Sequence, residues 1–513
     1  MIATASVIGM ASMLVQVEAD ICNGMPAFEM VGFLASEVRE ARERIRAAIR
    51  NAGFSLPPRR ITVNLCPADV KKNGTGFDLP IALAVLGAYG LLETEQIRQI
   101  LFIGEITLNG TLHPVRGVLP MAIAAKEAGF QTLVLPRENA QEAGLVKDLQ
   151  VFAADSLMQV LSWLTGQEKS IPGNPDAINI NIEETASDAA PEDDFFSIHG
   201  QYVLRRACEV AAAGMHNLLM VGPPGAGKTM AAHAMPSILP RLSEEEMLEL
   251  AEIYSVAGLF EERRKQFTKR PFRCPHHSVT RTALVGGGRM PGPGEISLAH
   301  KGVLFLDELT EYAKSVLEQL RQPLEENSIR LVRVSGTYCY PADFMLVAAM
   351  NPCGCGYYPD RNKCSCSEGN VRQHLQKISR PLLDRMDLTV EVPKVKLEEL
   401  EGKGKSESSA DIRRRVEMAR HIQQERFSRE HCSYNSRMTT EQISRYCPMD
   451  MEAKRQLKQA YEELDLSARG YHRLIRVSRT IADLAGSDDI KGSHMLEALL
   501  YRSLDTELKR ISL

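Results

Sequence analysis

The sequence predicts an α/β protein in which two α/β domains are followed by a helical C-terminal segment. Short β-rich runs alternate with helical runs through residues 1–165 and 199–395, and a glycine-rich phosphate-binding loop follows one of the β-rich runs. A chain of 513 residues is also too long for one hydrophobic core. At roughly 100 to 200 residues per domain, we expect three domains.

Composition limits the class of protein. Hydrophobic residues make up 44% of the chain and charged residues 25%, and the net charge is −4, which excludes extensive disorder and a wholly basic surface. The N-terminal residues lack the pattern of a signal peptide, and the chain has no uninterrupted apolar stretch of about 18 residues. We therefore expect a cytoplasmic protein that does not enter the membrane, and its eleven cysteines do not predict a disulfide framework.

The first domain, residues 1–165, combines predicted strands and helices. Ile61 to Leu65 is predicted to be a strand, and the spacing of apolar residues predicts a helix just before it. The buried face of that helix should consist of Val38, Ala41, Ile45, Ala48 and Ile49. Asn109-Gly110 between two short β-rich runs predicts a hairpin with a type I′ turn. Residues 166–198 are acidic and rich in proline, which predicts a flexible linker.

The second domain, residues 199–395, contains a P-loop. An apolar run at 218–221 precedes Gly222, Pro223, Pro224, Gly225, Ala226, Gly227, Lys228 and Thr229, and a helical run follows. Glycines at such a loop allow backbone N–H groups to surround the phosphates of ATP. Lys228 is expected to reach the β- and γ-phosphates, and the Thr229 hydroxyl to bind Mg²⁺.

Two further apolar runs end in polar side chains. Asp307 and Glu308 follow the first run, so Asp307 is expected to help hold Mg²⁺ and Glu308 to act as the base that activates water. These carboxylates could instead cap the helical run at 311–326. Asn351 follows the second run and is a candidate polar sensor for the attacking water, although Asn-Pro is also a common turn.

Cys353, Cys355, Cys364 and Cys366 form a C-x-C, eight-residue, C-x-C pattern that suits a tetrahedral structural Zn²⁺ site. Four reduced thiols without a metal remain the alternative, and His276 and His277 are alternative ligands.

A β-hairpin is predicted at 329–340, directly before the run that ends at Asn351. Arg333 near its tip, and Arg281 and Arg289 in the glycine-rich segment around 286–288, are candidate contacts to DNA phosphates. The alternative is that the hairpin arginines are ordinary solvent-exposed side chains on one face of a strand and bind nothing.

Three long strings carry a family resemblance: Arg273 to Ser278, Pro291 to His300 and Pro381 to Asp387. With the P-loop, they resemble the helix-2-insert branch of AAA+ ATPases that includes magnesium-chelatase ATPase subunits, and most closely the bacterial ComM/YifB group. The resemblance covers nearly the whole chain. It implies a homo-hexameric ring, and a helical lid over residues 396–513.

The resemblance also assigns site residues. It implies that Arg385 is an arginine finger supplied to the neighbouring subunit's ATP, and that Arg476 is a second sensor, with Arg473 and Arg479 as competitors.

The first domain resembles the Lon-type protease fold. Gly74 to Asp78 lies where such a protease has its serine, but no serine is present, and Leu119 replaces the expected lysine. No Ser-Lys dyad can form, so we expect no peptidase activity.

The resemblance implies an ATP-driven motor that moves single-stranded or branched DNA, as a helicase or a branch-migration translocase. It implies a role in recombination or natural transformation, with recombination proteins as partners. The alternatives are a chelatase-like ATPase or an unfoldase-like ATPase that remodels a protein. A Lon-like fold alone is weak evidence for the unfoldase.

Overall fold

The computed structural model describes residues 1–93, 97–166, 194–288, 291–333, 336–395, 407–430, 432–464 and 466–502. The predicted linker 166–198 and the predicted polar stretch before the helical segment lie mostly outside the described residues. The strands are β1 (Ile2–Ile8), β2 (Ala11–Cys22), β3 (Ala27–Val31), β4 (Arg60–Cys66), β5 (Ile100–Phe102), β6 (Glu105–Ile106), β7 (Leu112–His113), β8 (Thr132–Pro136), β9 (Gln150–Ala154), β10 (Leu218–Val221), β11 (Phe272–Arg273), β12 (Gly286–Gly287), β13 (Gly292–Pro293), β14 (Val303–Leu306), β15 (Ser328–Arg333), β16 (Gly336–Pro341), β17 (Met345–Met350) and β18 (Leu388–Glu391).

The helices of the first two domains are α1 (Ser36–Asn51), α2 (Asp78–Ala88), α3 (Val118–Glu127), α4 (Ala140–Ala143), α5 (Leu157–Leu164), α6 (Tyr202–Gly214), α7 (Lys228–Ile238), α8 (Glu244–Ala257), α9 (Phe260–Arg263), α10 (Arg281–Val285), α11 (Glu295–Leu298), α12 (Lys314–Leu317), α13 (Pro323–Glu326), α14 (Glu368–Leu375) and α15 (Arg380–Leu383). The C-terminal helices are α16 (Ser409–Arg426), α17 (Thr440–Tyr446), α18 (Met451–Glu463), α19 (Ala468–Leu484) and α20 (Gly492–Leu500).

The N-terminal part is built on a seven-stranded mixed sheet with the order β3-β4-β2-β1-β5-β8-β9. Strands β1, β2 and β4 pair antiparallel, whereas β5, β8 and β9 continue the sheet in parallel from β1. Helix α1 buries the five apolar residues that their spacing predicted, against the core below the sheet. This confirms the α/β prediction for the first domain.

The turn at Asn109-Gly110 differs from the prediction. β6 and β7 do pair antiparallel, but the connection runs from Thr107 to Thr111, and of its residues only Gly110 has a positive φ, of 88°. The Asn109 side chain accepts hydrogen bonds from the hydroxyl groups of both threonines. These side-chain hydrogen bonds stabilise a longer turn than the type I′ turn, which requires positive φ at both central residues.

The central part contains a five-stranded parallel sheet with the order β11-β14-β17-β10-β18. β10, β14 and β17 are completely buried, as expected for parallel strands covered on both faces. The carboxyl ends of these strands lie at one edge of the sheet, so the residues that follow them are brought together there.

The C-terminal helices share a hydrophobic core with the central part. α19 is the most deeply buried of them and packs against α6 and α16, with residues of all three in the same core cluster. Residues 194–198 belong to this core too: Phe195 is fully buried and its backbone N–H donates to Ser409 Oγ. This part of the predicted linker is therefore packed. None of the described helices is both long enough and apolar enough to cross a membrane.

The N-terminal part contacts the central part through α8. Gly117 N donates to Ser255 O at 3.0 Å and Leu119 N donates to Ser255 Oγ at 3.3 Å, and apolar residues of α3 and α8 form one cluster. Ser255 is itself buried. The two parts therefore share a buried interface.

Candidate nucleotide site and its surroundings

The P-loop connects the buried end of β10 to the first turn of α7. Gly222 is required by a close approach, because a Cβ at this position would lie 2.1 Å from the Val392 carbonyl oxygen. Gly227 precedes α7 with a φ of 91°, in the left-handed region that favours glycine. The loop therefore leaves the sheet edge and turns into a helix N-terminus, which is the arrangement that binds phosphate groups.

Lys228 links the P-loop to the end of β17. Its Nζ donates to the carbonyl oxygens of Gly222 at 2.7 Å and Pro223 at 2.9 Å, and to Asn351 Oδ1 at 3.2 Å. Burial lowers the pKa of Lys228, although the nearby Asp307 opposes that shift. The lysine and the predicted sensor, which are far apart in the sequence, thus meet in the structure. The sensor role of Asn351 stays a prediction.

Thr229 and Asp307 also meet as predicted. Thr229 Oγ1 donates to Asp307 Oδ2 at 2.8 Å, and the other oxygen of Asp307 accepts from the Glu308 backbone N–H at 2.9 Å. A hydroxyl and a carboxylate side by side at the phosphate loop are oxygen ligands of the kind that Mg²⁺ prefers. These two residues therefore fit a bound magnesium ion.

Glu308 has an unusual backbone and an accessible side chain. Its φ is 50°, which is uncommon for a residue with a side chain. It occupies the cap position of the turn Leu309–Glu311 but makes no capping hydrogen bond with its side chain, which is 59% exposed. The capping alternative is thus not supported for Glu308, and the carboxylate is available to water.

His277 lies next to Glu308, which the sequence did not reveal. Its Nδ1 is 3.9 Å from Glu308 Oε2. The adjacent His276 packs against the His277 ring at a centroid distance of 4.0 Å, but its own Nδ1 lies 2.8 Å from Ser278 Oγ. The consecutive histidines in the motif Arg273 to Ser278 are the one sequence signal of a role, because Glu308 lies 31 residues further along the chain.

The four cysteines converge as their spacing predicted. Among the described residues they form a group whose sulfur atoms all lie within 4.8 Å of one another, with Cys353 Sγ 3.3 Å from Cys355 Sγ and 3.8 Å from Cys364 Sγ. Tetrahedral zinc at about 2.3 Å from each sulfur requires sulfurs roughly 3.8 Å apart, so the cluster fits this ion. Neither His276 nor His277 belongs to the group.

The cysteine loop touches the P-loop. Gly356 has a φ of 85°, and a Cβ there would lie 2.5 Å from Pro224 Cδ. Hydrogen bonding to the Tyr357 backbone lowers the pKa of the Cys355 thiol to about 6, which gives the cluster a thiolate at neutral pH. The loop that carries the cluster is therefore in position to support the nucleotide site.

Arg385 directly precedes β18, on the side of the central sheet opposite the P-loop. Its side chain is only 7% exposed and forms an ion pair with Glu325 at 2.6 Å, while Nε donates to the Arg321 carbonyl oxygen at 3.1 Å. The amino ends of the strands are at this edge, so Arg385 is remote from the P-loop of its own chain. Its role as a finger stays a prediction.

Arg476 is also at the amino-end edge. It donates to the Met438 carbonyl oxygen, and the neighbouring Arg437 binds Asp343, which precedes β17. The two competing arginines are committed to buried carboxylates: Arg473 Nε is 3.4 Å from Asp387 Oδ1, and Arg479 pairs with Asp483 at 3.0 Å. Within the part of the chain that the structure describes, Arg476 is therefore the one of the three that forms no ion pair with a carboxylate, but it does not reach the P-loop of its own chain.

The predicted hairpin is formed by β15 and β16. Arg330 and Arg333 are exposed on it, whereas the alternating Ile329 and Leu331 are buried. A Cβ built on Gly287 would lie 3.1 Å from Arg333 Nη2, so the hairpin arginine packs over the glycine-rich segment. Arg281, on that segment, is exposed as well. Arg289 and the hairpin tip lie outside the described residues.

The Gly74 to Asp78 stretch and Leu119 occupy the positions that match the missing Lon-type dyad. Gly76 approaches Ile103 Cγ2, which a Cβ would meet at 3.3 Å, and Leu119 is completely buried at the interface with α8. The lack of peptidase activity stays a prediction.

The strand order, the P-loop and the carboxylates that follow β14 define an AAA+ ATPase, a class whose members bind ATP and Mg²⁺. Comparison with known proteins gives the family. The family described as "Magnesium chelatase, subunit ChlI" matches residues 194–400, "Subunit ChlI of Mg-chelatase" matches residues 17–139, and "Magnesium chelatase, subunit ChlI C-terminal" matches residues 406–502. The chain belongs to the ComM/YifB family of magnesium-chelatase-like AAA+ proteins.

The ComM and YifB relatives match over nearly their full length. Competence protein ComM of Haemophilus influenzae is 42% identical over 507 residues, which are 98% of this chain and 97% of that protein. YifB of Salmonella typhimurium is 40% identical over 503 residues, 98% of this chain and 96% of that protein. Lon protease of Chloroflexus aggregans is 25% identical over 150 residues, 27% of this chain and 18% of the protease. The last match is consistent with a Lon-like N-terminal fold.

Proposed function

We propose that the protein is an ATP-driven motor that works as a homo-oligomeric ring and moves DNA, as a helicase or branch-migration translocase. The ATPase activity is supported by four side chains that meet at the carboxyl ends of the central strands. Lys228 donates a hydrogen bond to Asn351, and Thr229 donates one to Asp307. AAA+ proteins commonly assemble into oligomers, and a ring accounts for the arginines described below.

In this proposal, the residues at the carboxyl-end edge hold ATP and direct water. Lys228 would exchange its bonds to the P-loop carbonyls for the β- and γ-phosphates. Thr229 and Asp307 would hold Mg²⁺, which would neutralise charge on the phosphates. Glu308 would accept the proton of the attacking water, and the Asn351 amide would orient that water.

His277 would position Glu308. At 3.9 Å it can attract the carboxylate and so influence where the base points before water attacks. The interaction is exposed to solvent, and a modest effect on the rate is therefore expected rather than loss of hydrolysis.

The two arginines support a site shared between subunits. Arg385 and Arg476 lie at the amino-end edge of the sheet, whereas the P-loop lies at the carboxyl-end edge. One chain cannot bring both groups to the same ATP, but a neighbouring copy can present its amino-end edge to the P-loop. Arg385 would then leave Glu325 to stabilise the charge on the transferring phosphoryl group.

The hairpin formed by β15 and β16 supports DNA as the substrate. It exposes Arg330 and Arg333, and Arg281 projects from the neighbouring glycine-rich segment. Contacts to the backbone phosphates would be independent of sequence, as movement along DNA requires. One relative is named a competence protein, which fits a role in handling DNA during natural transformation.

The second candidate function is remodelling of a protein, and the match to magnesium-chelatase subunits favours it. The Glu308→Gln variant with ATP separates the two. DNA binding by this variant should weaken steeply as salt rises, because phosphate contacts release counterions. Binding that is absent, or that is indifferent to salt, would favour a protein client.

The cysteine cluster is proposed to hold a structural zinc ion. It would fix the loop that lies over Pro224 and that follows Asn351. Its contribution would be to the shape of the nucleotide site, without a step in catalysis.

A further inference from the structure

The N-terminal part carries a concentration of arginines away from the nucleotide site. Residues 44–60 contain five arginines and neither aspartate nor glutamate. This stretch covers the second half of α1 and the loop that leads to β4. In a chain with a net charge of −4, the stretch is strongly basic.

Two of the five arginines are satisfied within the chain. Arg44 binds both oxygens of the buried Asp78, at 3.0 and 3.1 Å, and Arg60 binds Glu29 at 2.9 Å. The other three, Arg46, Arg50 and Arg59, are exposed. Among the described residues, none of these three has a carboxylate or hydrogen-bond partner. We call these three residues the basic patch.

The geometry places the basic patch on one surface. Arg46 and Arg50 are four residues apart on α1, so they lie on the same face, about 6 Å apart along the helix axis. Burial raises the pKa of Tyr89, and Arg59 and Arg46 oppose that shift, which puts both guanidinium groups within electrostatic reach of one phenol. Tyr89 directly follows α2, and it donates to the Pro57 carbonyl oxygen at 2.8 Å, which ties the loop of Arg59 to the end of a helix that packs against α1.

The chemistry of the surface favours a phosphate backbone over a protein. None of the large apolar side chains that are exposed in the described structure lies within residues 44–60, whereas protein interfaces concentrate binding energy on buried aromatic and apolar anchors. Guanidinium groups without internal partners suit phosphate oxygens, to which they can bind with two hydrogen bonds. The half-buried Tyr89 nearby offers an aromatic ring that can also stack on a base.

We propose that the basic patch binds the backbone phosphates of nucleic acid, so that the N-terminal domain is a second DNA-binding element besides the motor. The proposal rests on the proposed function only for the identity of the nucleic acid. It gives the N-terminal domain a role that does not involve the missing Ser-Lys dyad, and it does not require the patch to face the hairpin.

The test uses the full-length chain with Arg46→Gln and Arg50→Gln together. Both side chains are exposed, so the substitutions should leave the fold and DNA-free ATP hydrolysis unchanged. The matched control is Arg414→Gln with Arg455→Gln, which removes the same charge at side chains that are 74% and 75% exposed on the C-terminal helices. Binding of fluorescein-labelled duplex DNA is followed by anisotropy at several salt concentrations.

We expect the patch variant to lose affinity and its salt dependence to become shallower by about 1.8 in the slope of log K against log salt, because each lost phosphate contact removes about 0.9. The control should keep the wild-type slope. If the wild-type chain binds DNA and the patch variant has the same slope, or if the control falls as far, the patch proposal is overturned alone. If the wild-type chain binds no DNA, this proposal and the proposed substrate fail together.

Discussion

Asp387 joins the central sheet to the C-terminal helices, and its removal tests how the two are held together. Asp387 Oδ2 accepts from the Asn217 backbone N–H at 2.9 Å, and Oδ1 lies 3.4 Å from Arg473 Nε on α19. The two side chains are 10% and 7% exposed. Burial alone would raise the pKa of Asp387, but His216, whose Nδ1 lies 3.7 Å from Oδ2, and the charge of Arg473 hold it well below its usual range.

Asp387→Asn should destabilise the protein by about 3–5 kcal/mol, the range for removing one partner of a buried ion pair. Arg473 would keep its hydrogen bond to the Met386 carbonyl oxygen, at 3.3 Å, but its buried charge would lose its carboxylate. The free energy of unfolding is measured by urea titration with far-UV circular dichroism. Adding Arg473→Met should restore much of the loss, since the buried charge is then removed as well.

The matched control is Arg414→Met, which breaks an exposed ion pair with Asp411 and should cost less than about 1 kcal/mol. The difference between wild type and Asp387→Asn should also depend on pH. A carboxyl whose pKa is depressed in the folded state stabilises the protein above its unfolded pKa of about 3.9. The difference should therefore be complete above that pH and shrink as pH falls below it. A loss under about 1 kcal/mol, or a double variant no more stable than Asp387→Asn, would refute the reasoning.

Three further predictions concern the site. Lys228→Ala and Arg385→Ala should each abolish ATP turnover. Mixing the two variants should restore a measurable fraction of the wild-type rate, because some sites in mixed rings have both the lysine and the arginine. Mixtures as inactive as either variant alone would exclude a site shared between subunits. His277→Gln should lower kcat severalfold with little change in KM, while His276→Gln should not; equal effects would indicate a merely structural role. The purified wild type should contain near-stoichiometric zinc, and Cys364→Ser should lower the zinc content and weaken ATP binding. A wild-type protein without zinc would contradict the proposed zinc site.

Local patterns predicted the fold, and they predicted that the polar residues after the central strands lie close together. The apolar face of α1 follows from helical spacing alone, and the three buried strands of the central sheet follow from unbroken apolar runs. Because these strands are parallel, the polar residues after them had to meet at one edge. Lys228 and Asn351 therefore lie as expected although 123 residues separate them.

Features that depend on packing between distant segments were not predictable. The approach of His277 to Glu308 depends on how the segment after β11 crosses the end of β14. The attachment of Leu119 to Ser255 joins the two α/β parts, and no local pattern in either segment signals the partner. The ion pair of Arg385 with Glu325 is a third case: the sequence motif predicted a role for the arginine but not its internal partner.

The measurement that tests the central claim most directly is the steady-state ATPase rate of the purified protein without DNA, with single-stranded DNA and with branched DNA. The Glu308→Gln variant serves as the blank, since it should bind ATP but hydrolyse it very slowly. We expect a clear rise in turnover with DNA, and no rise in the variant. An active ATPase whose rate is the same with and without DNA would contradict a DNA motor, and normal turnover in Glu308→Gln would contradict the assignment of the base.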